Sequence, residues 1–176
     1  MNQDSVFSSF AGAAVLDTTP TVIRSMLSRV TEEELAWRPN AERWSIAMVL
    51  AHLADAETNG FQSRFRAIAA QDEPFLAKYD QHTLFQHQSE FDGWKALENF
   101  ARERAETIDL LRSLPATVIE RRGRHEELAQ GISFGELLNG FAFHDLGHVR
   151  QIAELYRARA FYPEMGALRG YYQIHP

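Results

Sequence analysis

Two histidines four residues apart, His144 and His148, lie on an otherwise apolar stripe formed by Phe134, Leu137, Phe141, Ile152 and Leu155. Spacings of three and four place side chains on one helical face, so the two imidazoles stand one above the other. Two nitrogen ligands of one ion need that arrangement, each ~2.0–2.1 Å from a zinc-like metal. The competing reading is a pair of buried, hydrogen-bonded histidines, the commoner fate of a lone core histidine. Neutral rings in register need partners for both nitrogens of each, and a shared ion satisfies two of those nitrogens at once. The pair alone leaves both readings open.

His52 is a third candidate ligand, at the edge of a second apolar stripe with Val49 and Ala56 beside it. Three facial imidazoles leave a coordination position open, as catalytic rather than purely structural sites do. Asp55, one turn later, is placed to orient an imidazole or add a ligand. Asp145 is expected to face away from the pair, as an outer-shell or surface residue. A solvated helix charge is the plainer reading of each acid. In His144-Asp145-Leu146-Gly147-His148, Asp stands where the zincin pattern H-E-x-x-H has its general base, which argues against proteolysis. The His144-Asp145 dipeptide also occurs in HD-type phosphohydrolases, but their further His and Asp ligands have no assignable counterparts here. His82 and His87 fall in a long loop and His125 in a crossover, where surface positions are expected.

The elements that would carry these residues are helical. Thr19-Pro20 reads as a cap and first turn, followed by Val22, Ile23, Met26, Leu27 and Val30 at helical spacing. Thr31 before three glutamates suggests a short second start, ended by Trp37-Arg38-Pro39-Asn40. Ser45 opens a helix from about Ile46 to about Ala70, with Gly60 as a local weakness. From Asp72 to Ser89 the pattern is that of a long loop, a kind usually functional or mobile. Ser89 can cap a third helix running to Leu114, where Pro115 stops it. Val118 to Ile132 lacks helical periodicity and suits a short hairpin or irregular crossover. Ser133 and Glu136 form a capping box for a fourth helix ending near Ala160. The aromatic tail Phe161–Tyr172 suits either a homodimer interface or a return over its own bundle. The fold expected is all-α, a four-helix bundle with unequal connections, as one domain over residues 1–176.

The 176 residues are 45% hydrophobic and 24% charged, with a formal net charge of -6, which suits a soluble globular chain able to bury a core. No basic face is available for phosphate neutralisation, so nucleic acid is not expected as a partner. The absence of cysteine removes disulfides, thiolate ligands and a cysteine nucleophile together. Any metal must sit on imidazole and carboxylate, and any thiol must arrive with a substrate. Neither a signal peptide nor a run of ~18 apolar residues is apparent, so a cytoplasmic location without membrane attachment is expected.

Trp37-Arg38-Pro39, Trp44-Ser45-Ile46 and His52-Leu53-Ala54-Asp55-Ala56-Glu57, followed by His144-Asp145-Leu146-Gly147-His148-Val149-Arg150-Gln151-Ile152, together resemble the DinB-like superfamily from about Thr19 to Ala160. The resemblance implies a four-helix bundle with a three-histidine metal centre, carried onto His52, His144 and His148 without mismatch. It implies a divalent ion, zinc or nickel in first place and manganese-like ions in some relatives. Often such proteins are dimers. Characterised relatives include S-transferases and isomerases dependent on bacillithiol, mycothiol or glutathione. The resemblance therefore points to activation of a low-molecular-weight thiol for transfer to an electrophilic small molecule. Hydrolysis through metal-bound water, and non-catalytic binding of metal or ligand in stress protection, are the alternatives.

Overall fold

The computed structural model describes residues 5–86 and 90–176. After a short helix α1 (Val6–Ser9), capped by Ser5, the chain forms α2 (Ala13–Met26) and α3 (Glu32–Ala36). It continues through α4 (Ile46–Asp55), a π-helical stretch Ala56–Gln62 and α5 (Ser63–Ala70) without leaving the helix. The connecting segment contains β1 (Phe75–Leu76) and a short α6 (His82–Gln86), followed by α7 (Gly93–Ser113). A 3-10 turn at Ala116–Glu120, β2 (Arg122–His125) and β3 (Ile132–Ser133) lead into α8 (Phe134–Tyr156). The bundle consists of α2, the α4–α5 unit, α7 and α8. No helix among the described residues is long and apolar enough to cross a membrane.

Several starts are those the side chains dictate. The hydroxyls of Thr31, Ser45 and Ser133 accept from the backbone N–H three residues on, and Glu34 and Glu136 complete capping boxes. Each such cap contributes about 1 kcal/mol. The third long helix begins later than Ser89, which lies outside the described residues: the Asp92 carboxylate takes the Lys95 N–H and Gly93 is its first residue. The expected hairpin exists, with β2 antiparallel to β3; β1, within the stretch read as a loop, pairs parallel with β2. Gly131 turns the hairpin at φ 68°, and a Cβ there would stand 2.6 Å from the Gly123 carbonyl oxygen.

Helix α2 does not start at Thr19-Pro20 but carries Pro20 inside it. Proline supplies no N–H, so the carbonyl four residues earlier, that of Leu16, is left without its helical donor. The guanidinium of Arg104 on α7 fills the vacancy, Nη1 donating to Leu16 O at 2.9 Å. Thr18 and Thr19 meanwhile turn their hydroxyls back to Ala14 O and Val15 O. A tertiary bond thus makes an internal proline tolerable where local rules place a boundary.

Two apolar clusters lie along the bundle axis. One gathers Leu16, Phe65, Ile108, Phe134 and Phe141, the other Ile23, Leu53, Phe100, Ile152 and Leu155. On every bundle helix a polar side chain separates the two: Thr19 on α2, Glu57 in the π-helical stretch, Arg104 on α7 and Asp145 on α8, all buried. Beyond Tyr172 the tail returns to its own bundle. Arg157 Nη2 donates to Gln173 O, His175 N to Glu154 Oε1 and Arg43 Nε to Pro176 O. Phe161, Leu168, Tyr171 and Tyr172 remain exposed.

Candidate metal centre

His52 sits in the last turns of α4, while His144 and His148 occupy successive turns of α8. Packing of these helices brings His52 Nε2 to 3.2 Å from His144 Nε2, and His148 Nε2 to the same distance from His144 Nε2. One ligand atom from each residue falls within 4.8 Å of the other two. Two nitrogens at ~2.05 Å from a common ion and at the tetrahedral angle stand roughly 3.3 Å apart, so the spacing fits shared coordination.

Hydrogen bonding alone does not satisfy this cluster. A neutral His144 Nε2 has either one proton or one lone pair, and it faces two nitrogens at equal distance. At most one of the two contacts is then a good hydrogen bond. An added proton would not help, because each Nε2 still offers a single position, and burial opposes the added charge. Desolvation, followed by the neighbouring imidazoles, lowers His144 to about 3. Desolvation and His148 lower His52 to about 4, with Asp55 acting weakly the other way. His148 is also lowered by burial. The site therefore offers three neutral nitrogen donors around one point, a donor set suited to a borderline divalent cation.

Placement of the acids differs from what the sequence suggested. Asp145 is not a surface residue but fully buried, and the histidine pair sits on the shoulder of the buried stripe. Its carboxylate receives Arg104 Nη1 at 2.6 Å and Nη2 at 2.9 Å. Glu57 accepts from Arg104 on its other side. Burial pushes the Glu57 carboxyl up; for Arg104 burial works against the charge, but the Asp145 and Glu57 bonds hold its pKa above the usual value. Among the described residues Asp55 hydrogen-bonds no imidazole: Tyr79 Oη donates to one oxygen at 2.6 Å and Asn59 Nδ2 to the other at 2.8 Å. His125 lies on β2, its Nδ1 accepting from the Glu127 N–H. His82 begins α6, and His87 lies outside the described residues.

Aromatic rings flank the imidazoles. Trp44 is 5.1 Å and Tyr79 6.0 Å from the His52 ring, centroid to centroid, and Phe61 is 5.2 Å from that of His144. Tyr79 comes from the Asp72–Ser89 segment that the sequence pattern gives as a long loop. Its hydroxyl, raised by burial and by Asp55, keeps its proton and ties the segment to α4. Neither Tyr79 nor Phe61 was identifiable as a neighbour of the site, since neither lies at helical spacing from a histidine on its own element.

Protonation supplies a first test. At pH 6, three ordinary histidines would release roughly two protons on binding a metal. The depressed imidazoles here should release fewer than one. Calorimetric titration with zinc in buffers of differing ionisation enthalpy measures this number, and a release near two would show that the rings are not held neutral.

The sequence profile of the DinB superfamily matches residues 16–152. A protein of Oceanobacillus iheyensis, provisionally named a metal-dependent hydrolase, is 24% identical over 143 residues, 80% of this chain and 81% of that one. YfiT of Bacillus subtilis, with the same provisional name, is 23% identical over 145 residues, 81% of each chain. The solved structure of YfiT, described as a four-helix bundle of unusual topology, superposes with a TM-score of 0.73 at 22% identity. That match covers 82% of this chain and 83% of the other.

Proposed function

The chain belongs to the DinB superfamily, and on that premise we propose that it is an enzyme dependent on a divalent metal, zinc or nickel, held by His52, His144 and His148. The observation that carries this reading is the convergence of three neutral Nε2 atoms on one point, with no arrangement of protons that satisfies them all. The two named relatives, both called metal-dependent, support it. When bound, the cation would supply Lewis acidity toward a small nucleophile at its open side.

The nucleophile in this reading is a low-molecular-weight thiol, transferred to an electrophilic small molecule. Neutral imidazoles leave the positive charge of the centre undiminished, which favours ionisation of an incoming thiol. A thiol has a single proton to lose, from a pKa of roughly 8.5, and needs little help from a general base. Water demands more proton handling, and the nearby acids are committed elsewhere: Asp55 to Tyr79 and Asn59, Glu57 and Asp145 to Arg104. The chain has no cysteine of its own to compete. Trp44, Phe61 and Tyr79 give the rings apolar surroundings that suit an apolar electrophile. The relatives' hydrolase names favour a second reading, in which water is the nucleophile.

Cobalt-substituted protein separates the two. Titrated with glutathione, bacillithiol or mycothiol, it should develop a sulfur-to-metal charge-transfer band whose pH midpoint is near or below neutral. A band without turnover of any electrophile would indicate sequestration. Absence of a band with every thiol would transfer the assignment to hydrolysis.

A further inference from the structure

The three imidazoles differ in what holds their outer nitrogens. His52 Nδ1 and His144 Nδ1 are buried with no hydrogen-bond partner among the described residues. His148 Nδ1 stands 2.9 Å from Oε1 of Gln151, one helical turn further along α8. A histidine that gives one nitrogen to a metal carries its proton on the other, and the group receiving that proton decides the tautomer and the ring's orientation. Carboxylates often do this, but the nearby ones are already engaged: Asp145 by Arg104, Asp55 by Tyr79 and Asn59.

Resting on the reading that the histidines hold a metal, we propose that Gln151 is a positioning residue that presets His148 as a ligand. Its amide oxygen accepts the Nδ1 proton, so that Nε2 presents a bare lone pair to the centre before any ion arrives. A neutral histidine in water favours the opposite tautomer, with the proton on Nε2, which would block that lone pair. Spacing on α8 makes the device local: residues three apart share a face, and a glutamine is long enough to reach the neighbouring ring across one turn. His148 is thus the prepared member of the set. His52 and His144, whose outer nitrogens find no partner among the described residues, adopt the ligand tautomer when the ion selects it.

The test uses the full chain, first free of metal. Long-range proton–nitrogen spectra of protein labelled at the histidine ring nitrogens report each tautomer. His148 should be the Nδ1–H form in the parent protein and shift toward Nε2–H in Gln151→Met, which keeps the length and removes the acceptor. Zinc affinity should fall about 10- to 100-fold in that variant. Gln151→Glu should keep the Nδ1–H form and bind zinc at least as tightly as the parent. An Nε2–H His148 in the parent, an unchanged tautomer in Gln151→Met, or a Gln151→Glu variant as weak as Gln151→Met would each overturn the proposal. Should Gln151→Met fail to fold, the parent tautomer and the Gln151→Glu affinity still decide it. The tautomer is read without metal, so a misassigned Gln151 is distinguishable from a misassigned metal centre: parent protein that takes up no zinc overturns both, whereas normal uptake with the wrong tautomer overturns only the role of Gln151.

Discussion

His144→Ala and His148→Ala should each reduce metal content from about one ion per chain to almost none, while circular dichroism still reports a folded helical protein. The helices of this bundle bury Leu50, Leu53, Phe100, Phe134, Phe141, Ile152 and Leu155 independently of any ion, and apolar burial is what stabilises such a core. Alanine is also the best helix former, so neither exchange weakens α8 locally. The metal, by contrast, loses a whole ligand. If the roughly 10–16 kcal/mol of a four-ligand zinc site is divided evenly, each ligand accounts for ~3–4 kcal/mol, two to three orders of magnitude in affinity. His52→Ala should weaken binding on the same scale, since His52 Nε2 faces the same point. Elemental analysis of the purified variants reads the outcome. Parental metal content in both α8 variants would remove these histidines from any metal site. Undiminished affinity in His52→Ala would mean that the third ligand lies elsewhere.

The parts of the fold that could be read from sequence are those governed by local rules. Periodicity located α4–α5, α7 and α8, and the Ser133–Glu136 capping box marked the start of α8 to the residue. The i,i+4 pair on α8 pointed to the centre, and the family resemblance joined His52 to it. What could not be read locally depends on partners far along the chain. Pro20 looked like a helix start because nothing nearby can replace its missing N–H; the replacement is Arg104, 88 residues from the carbonyl it serves. Asp145 was assigned outward because an acid on a helix is usually solvated, yet it is the most buried polar residue of α8. One signal was available. Phe100, Arg104 and Ile108 are spaced by four, as are Leu53 and Glu57, and Phe141 and Asp145. Each charge therefore sits on its own helix's core stripe. One basic and two acidic side chains on the inward faces of three long helices imply, from spacing alone, that they pair in the interior.

That pairing leads to the largest expected effect on stability. Arg104→Met should destabilise the fold by about 3–5 kcal/mol, the usual cost of removing one member of a buried ion cluster. The side chain's volume is nearly kept, so the penalty is electrostatic rather than a cavity. Glu57 and Asp145 would face each other across a dry layer without their shared cation, and Leu16 O would lose the donor that replaces the Pro20 N–H. With Glu57 already pushed up by burial, removal of Arg104 should drive it further toward the neutral form. The variant should therefore recover part of its stability as pH falls toward 5, whereas a variant that merely lost packing would not. The sign follows from linkage: a carboxyl whose folded pKa lies above its unfolded value binds more protons when folded, so lowering pH favours the folded state. For a chain of this size 3–5 kcal/mol corresponds to a fall in Tm on the order of 10 °C, measurable by calorimetry at pH 7 and again at pH 5. Combining Arg104→Met with Glu57→Leu and Asp145→Leu should restore much of the loss, because an apolar layer has no charges to desolvate. A single variant as stable as the parent at both pH values would show that the cluster contributes nothing to the fold. A triple variant no better than the single would show that the arginine acts through its bond to Leu16 O and not through the acids.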